Sequence, residues 1–362
     1  MRVAVLGAGA GGAAAVVELT QAGHEVQLWN RSATTLEAFR RLGGVEHEGV
    51  FGAGLARPLL ITADLRAAID GCAAIVIALP TISHAVVAIA LAQAGARADV
   101  PVVLNPGHTG GAFEFETTFR KQRADVPPVA EFSTLTYVAR KSQPQRVNIS
   151  GRARQVRVAA LPGSERAVEA AIALFPCAKP VADVLFSGLC NVNMVLHPPG
   201  AILGAAWIEA TAGNYTFYAE GMTPGVARVM RALDDERRAV ALACGHRLPN
   251  LIEEMQAIGT VEKNITDSTD FAAAISSGVA NSRIKAPGSL QHRYYLEDFG
   301  HGLLPFRAIA KIAGVAVPAA DNLFKLAEIL TGKNYRDGGR GAAAMGITGL
   351  DLKGLLARLR RT

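Results

Sequence analysis

The chain opens on an apolar run, Arg2 to Leu6, that leads into Gly7-Ala8-Gly9-Ala10-Gly11-Gly12 and a helical pattern from Ala10 to Ala22. Gly-x-Gly-x-x-Gly between a strand and a helix leaves little freedom to the fold around it. Each glycine has its own task. Gly7 permits a tight turn, Gly9 lets backbone approach a pyrophosphate, and Gly12 lets the helix pack on the strand. The first helical N–H groups, from Ala10 and Gly11, and the positive end of the helix dipole serve the same anion. The stretch therefore reads as a dinucleotide-binding turn, with Gly7, Gly9, Ala10, Gly11 and Gly12 at the cofactor.

Short apolar runs then alternate with helical patterns. Glu25–Trp29, 59–62, 74–79 and 100–104 read as strands, with a helix over 83–96. That alternation predicts βαβ units and a parallel sheet. Runs at 129–133, 136–140, 146–150 and 155–160 follow at the spacing of hairpins that extend the sheet, and 164–174 reads as a helix. From about Ser187 strand-like runs vanish and long helical patterns dominate, including 223–244, 303–313 and 322–330. The expected architecture is an α/β Rossmann-type domain over 1–185 followed by an all-α domain over 186–362.

Strand ends on the cofactor side supply the other nucleotide contacts. The second strand closes on Trp29-Asn30-Arg31-Ser32, where a neutral Asn30 and a cationic Arg31 replace the carboxylate usual for NAD. Arg31 can pair with a 2′-phosphate and Ser32 can add a hydroxyl, so NADP is preferred. NAD stays possible if Asn30 holds the ribose hydroxyls. Leu79-Pro80-Thr81 and Asn105 close two further strands and are expected beside the ribose and nicotinamide.

The charge pattern narrows the partners. Twenty-eight Arg against nine Lys give a net charge of +6, but the arginines are scattered and aromatics are only 6%. No basic, aromatic-interleaved stretch suits a nucleic acid, and the terminal Arg358, Arg360 and Arg361 read as a frayed helix end. Guanidinium forks fit small carboxylates and phosphates better. Cysteines 72, 177, 190 and 244 have no paired spacing for zinc or redox work, so no metal and a reduced cytoplasm are expected. The apolar stretch 71–96 is broken by Pro80, Thr81, Ser83 and His84, which argues for strand and helix rather than a membrane span.

Two segments of the second half carry chemistry. Asn193 and His197 stand four apart, on one helical face, and Pro198 disfavours α backbone at His197. The histidine is therefore expected at a helix end or kink. Arg293-Tyr294-Tyr295-Leu296-Glu297-Asp298 places a guanidinium, two phenols and two carboxylates together before Gly300 and Gly302. Taken alone, the first segment also suits a satisfied core histidine and the second a solvated helix end.

With the Asn105-Pro106-Gly107-x-x-Gly110-Gly111 loop, Glu131-x-x-Thr134-x-x-Tyr137-x-x-Arg140, Gly302-x-x-Pro305 and 335–340, these motifs resemble the opine dehydrogenases, the octopine/nopaline dehydrogenase family. They run in family order through nearly the whole chain. The resemblance implies a two-domain enzyme whose active site lies in the interdomain cleft. It would condense an amino acid or amine with an α-keto acid and reduce the imine with NAD(P)H. It implies His197 and Asp298 as the catalytic pair, with Asn193, Arg293, Tyr294 and Arg140 at the substrate. Val192, Leu196 and Trp207 then suggest an apolar substrate side chain, or simply core. A homodimer is expected. The rival readings are a ketopantoate- or hydroxyacid-type NADP dehydrogenase reducing a carbonyl, and a protein that senses NADP without turnover.

Overall fold

The computed structural model describes residues 1–360, so Arg361 lies outside the described residues. The chain divides into two compact units: Met1–Gly107 with Gly111–Val184, and His108–Gly110 with the chain from Leu185 onward. The first unit is α/β and the second helical, the order the sequence implied.

Twelve strands form among the described residues of the first unit. They are β1 (Arg2–Leu6), β2 (Glu25–Trp29), β3 (Val45–Gly49), β4 (Gly54–Ala56), β5 (Leu60–Thr62), β6 (Ala74–Ile77), β7 (Val102–Leu104), β8 (Val129–Phe132), β9 (Tyr137–Gln143), β10 (Arg146–Arg152), β11 (Val156–Ala160) and β12 (Ala178–Pro180). Eight of them make one sheet, ordered β12-β11-β8-β7-β6-β1-β2-β5. Its pairings are parallel except β11 on β8. Val3 to Leu6 are wholly buried, as an apolar strand covered on both faces must be. Because β1 pairs with β2 on one side and β6 on the other, the connections diverge at its carboxyl end. Open α/β sheets bind ligands at such a point.

The hairpin β9–β10 does not extend this sheet, contrary to the sequence expectation. It joins β3 and β4 in a separate sheet, ordered β4-β3-β10-β9. The partner strand Val-Glu-His-Glu-Gly is too polar to read as a strand, yet it pairs in parallel with β10. Glu46 takes an ion pair from Arg146, and Glu48 accepts from Asn148 at 3.1 Å. This sheet is also tied to the helix that follows the glycine turn. The buried Glu18 accepts from the Tyr137 hydroxyl at 2.6 Å and pairs with Arg152 at 2.6 Å. Burial raises the Glu18 carboxyl despite both partners.

The second unit contains the helices Val192–Leu203, Pro224–Ala243, Arg293–Asp298, Leu304–Ala313 and Pro318–Thr331, among shorter ones. A π-helical turn, Phe299–Leu303, joins the third to the fourth. His197 is not at a helix end. Its helix runs on through Pro198 and Pro199 to Leu203. The two prolines withhold N–H donors from the carbonyls four residues back. Nearly complete burial from Met194 to Ala201 holds the helical path that the local preference opposes. No helix among the described residues is long and apolar enough to cross a membrane.

Candidate active site

The glycine turn of the first unit has a geometry that suits a nucleotide. Gly7 has φ +121°, and a Cβ there would lie 2.5 Å from the Ala78 carbonyl oxygen. A Cβ on Gly12 would come within 1.8 Å of the Gly7 carbonyl oxygen, so this contact is backbone on backbone. A Cβ on Gly9 would meet nothing within 4 Å. That open face lies at the start of the helix Ala10–Gln21, whose first turn has no side-chain cap and no acid. Such an end offers its N–H groups to a phosphate. The residues therefore fit a dinucleotide.

Beside it lies a cleft of about 480 Å³, lined by Trp29, Asn30, Arg31, Ser32, Leu79 and Ser83 among others. The asparagine has a task not foreseen: its Oδ1 accepts from the Ala8 N–H at 3.2 Å, and its Nδ2 donates to the Ser32 carbonyl at 3.3 Å. It braces the glycine turn. Arg31 and Ser32 stay exposed. Asp64 also lines the cleft, but its Oδ1 caps the next helix by accepting from the Arg66 N–H at 2.9 Å. Thr81 is buried at the start of a 3-10 turn, after a half-buried Leu79 and an exposed Pro80. Asn105 is wholly buried, and its amide both donates to Thr136 Oγ1 at 2.9 Å and accepts from the Thr136 N–H at 3.2 Å. Arg140 is an exposed residue of β9 whose guanidinium donates to the neighbouring Ala139 carbonyl.

In the second unit, the helices Val192–Leu203 and Arg293–Asp298 bring the two sequence segments together. His197 Nδ1 lies 2.7 Å from Asp298 Oδ2, with both residues buried. The Tyr295 hydroxyl donates to the Ala201 carbonyl at 2.6 Å and pins one helix to the other. The Tyr294 ring stacks on the imidazole, centroids 3.7 Å apart and planes 17° apart. Burial, then the neighbouring Glu297, raises the Asp298 carboxyl well above its ordinary range, against the pull of Arg293 and His108. Arg293 is half-exposed and pairs with Glu297 at 3.2 Å. Of the apolar candidates, Val192 and Leu196 are buried, while Trp207 is 41% exposed and stacks on Tyr215.

Three further residues join this cluster without having been singled out in the sequence. Tyr218 Oη lies 2.8 Å from His197 Nε2. His108, with φ +56°, is buried, and its Nε2 accepts from Asn193 Nδ2 at 3.4 Å. His301 sits in the π-turn. The wholly buried Arg340 donates to the Thr109 carbonyl at 2.9 Å and holds the loop of His108 in the second unit. His108 and Tyr218 carried no periodic signal, since the first is a loop residue and the second lies in an apolar stretch between helices.

Burial drives the His108 imidazole down to about 4 and that of His301 to about 3, with Arg340 adding to both. An unfolded histidine titrates near 6.5, so between these values the unfolded chain binds more protons. The stability carried by a neutral His108 is complete above about pH 6.5 and is lost as the pH falls through about 4. Relative to His108→Gln, the wild type is expected to lose about 3 kcal/mol between pH 7 and pH 4. Urea denaturation at the two pH values measures this, and parallel pH dependence in the two proteins would exclude it.

A dinucleotide turn on a doubly wound sheet, with a buried histidine–aspartate pair in a helical unit, defines an NAD(P)-dependent dehydrogenase. Residues 180–331 match the alpha-helical domain of NAD/NADP octopine/nopaline dehydrogenases, and residues 2–114 match the N-terminus of NAD-dependent glycerol-3-phosphate dehydrogenase. The opine dehydrogenase of Arthrobacter sp. (strain 1C) is 31% identical over 355 residues, 97% of each chain. The chain belongs to the opine dehydrogenase family. It is an NAD(P)-dependent oxidoreductase of the kind that reductively condenses an amino compound with an α-keto acid. The fold is shared with an octopine dehydrogenase solved with NADH and agmatine, at TM-score 0.78 and 21% identity over 100% of this chain and 99% of that one. It is shared also with NADP+-bound yersinopine dehydrogenase, at TM-score 0.69 and 16% identity over 99% and 97%. All four cysteines are buried and none is in a disulfide, and no metal-holding group occurs among the described residues.

Proposed function

We propose that His197 is the general acid/base of this condensation and that Asp298 fixes its tautomer and shares its proton. The observation that carries this is the buried 2.7 Å contact between Nδ1 and the carboxylate. An amine adding to a keto acid gives a carbinolamine, which must lose hydroxide as water before it becomes an iminium. An imidazole, which can both take up and release a proton, suits that exchange. A reduced nicotinamide, when bound, would supply the hydride for the iminium carbon. Asn193, Arg293 and Tyr294 lie around the pair and are proposed as substrate contacts, with the half-exposed guanidinium of Arg293 on a carboxylate. Arg140 is the weaker assignment, since its guanidinium is spent on its own strand. Gly7, Gly9, Ala10, Gly11 and Gly12 would hold the pyrophosphate. Leu79, Pro80 and Thr81 would flank the nicotinamide half, while Asn30 and Asn105 would shape the cradle through backbone.

The test is oxidation of NADPH and NADH with pyruvate, glyoxylate, oxaloacetate or 2-oxoglutarate, each with and without amino acids and amines. Oxidation that needs both partners supports the reading. Oxidation by a keto acid alone would favour carbonyl reduction of the ketopantoate or hydroxyacid type, and cofactor binding with no turnover on any pair would favour the sensor.

NADP is the proposed preference, supported by exposed Arg31 and Ser32 at a cleft whose one carboxylate, Asp64, is occupied as a helix cap. Arg31→Glu is expected to lower kcat/KM for NADPH by about 10- to 100-fold, the worth of one charge-assisted contact. Activity with NADH should change far less, and an equal loss with both cofactors would refute the assignment. A homodimer in a reducing cytoplasm completes the proposal. Light scattering tests the dimer.

A further inference from the structure

His197 has no ring nitrogen left to face a substrate directly. Nδ1 is held by Asp298, and Nε2 lies 2.8 Å from the Tyr218 hydroxyl. That hydroxyl is in turn 3.2 Å from the hydroxyl of Tyr294. Both tyrosines are 5% exposed, and the Tyr294 ring lies flat on the imidazole. Phe217 closes the cluster, its ring centroid 5.0 Å from that of Tyr294 and 5.2 Å from that of Tyr218.

The donor directions of this chain are set by its ends. With the proton of the His197–Asp298 contact on Nδ1, the carboxylate accepts it and Nε2 presents a lone pair. Tyr218 must then donate to Nε2, and its oxygen is open to a hydrogen bond donated by Tyr294. Protonation of Nε2 reverses every bond. Nε2–H donates to Tyr218, Tyr218 donates to Tyr294, and the Tyr294 proton points onward. The chain thus has two orientations that differ by one proton.

We propose that Tyr218 and Tyr294 relay the proton between His197 and the substrate, with Tyr294 as the group that meets the substrate and Tyr218 acting through it. The proposal rests on the reading of His197 as general acid/base. In carbinolamine dehydration the Nε2–H bond breaks as a new O–H forms on Tyr218. The original Tyr218 proton passes to Tyr294, and the original Tyr294 proton passes to the carbinolamine hydroxyl. That hydroxyl leaves as water while the nitrogen lone pair forms the C=N bond. One proton moves, both phenols end neutral, and no redox partner is needed. Addition of the amine, entering as its ammonium form, runs the same chain in reverse: one N–H proton passes through Tyr294 and Tyr218 to Nε2, another moves from nitrogen to the former carbonyl oxygen, and the third stays on nitrogen.

The test compares His197→Ala, Tyr218→Phe and a set of fluorinated tyrosines incorporated at 218, by single-turnover imine reduction. Tyr218→Phe is expected to slow the reaction about 10- to 100-fold with NADPH affinity unchanged. The fluorinated set keeps the hydroxyl and the ring, so its rates should follow phenol acidity. The solvent deuterium effect should report several protons in flight in the wild type and fewer in Tyr218→Phe. A purely structural hydroxyl predicts no trend with acidity. A flat fluorotyrosine series, or full activity in Tyr218→Phe beside a silent His197→Ala, overturns the relay and leaves His197 acting directly. Activity retained in His197→Ala overturns the reading beneath it.

Discussion

Replacement of His197 by alanine is expected to cut turnover by about 10²- to 10⁴-fold, the range that a positioned acid/base supplies. Binding of NADPH, followed by its fluorescence, should be unchanged, because the glycine turn belongs to the other compact unit. Asp298→Asn separates chemistry from folding. The carboxyl is held above its ordinary range by burial and by Glu297, so its ionisation opposes folding. The contribution of such a group is complete below the unfolded carboxylate pKa and is lost as the pH rises through the raised one. A neutral amide removes that cost while losing the anion that steadies the imidazole. Asp298→Asn should therefore turn over far more slowly, yet melt at or above the wild-type temperature at neutral pH. Loss of both activity and stability would mean that the pair is a structural contact. Such opposition between activity and stability is common where a site keeps a strained or desolvated group.

The second large effect concerns two glycines three residues apart that should fail in different ways. At Gly12 a Cβ would stand 1.8 Å from the Gly7 carbonyl oxygen, a clash of backbone that no rotamer relieves. Gly12→Val is expected to destabilise the first unit by about 3 kcal/mol or more. At Gly9 a Cβ meets no protein atom within 4 Å. Gly9→Val should fold and melt like the wild type, yet bind NADPH at least about 100-fold more weakly, because the side chain fills the space a pyrophosphate needs. Circular dichroism melts beside cofactor titrations separate the two. A Gly9→Val protein that binds normally would move the pyrophosphate elsewhere.

The sequence was legible where one residue pattern answers one local requirement. The turn from Leu6 to Ala13 is such a case, because the two close approaches admit only glycine. The order of α/β and helical parts followed from the change of apolar period. The polar strand β3 was not legible. Its partner β10 lies a hundred residues away, and Val-Glu-His-Glu-Gly carries too little apolar alternation to declare itself. The helical path at His197 ran against the local rule for residues before proline, since burial outweighed it. Asn30 and Asn105 were visible at strand ends, but whether an amide faces a ligand or its own backbone depends on atoms far along the chain.

The amino-acid order by itself thus determined a nucleotide turn, an α/β unit ahead of a helical one, and two polar segments, Asn193–His197 and Arg293–Asp298. Those features depend on contacts within a few residues, where spacing and side-chain type suffice. Tertiary structure alone decided that His197 and Asp298, 101 positions apart, close to a 2.7 Å contact. It also placed Tyr218 on the remaining nitrogen and turned His108 and His301 into neutral, buried imidazoles. Burial and long-range hydrogen bonding set these properties, and both arise only when distant segments exclude water together.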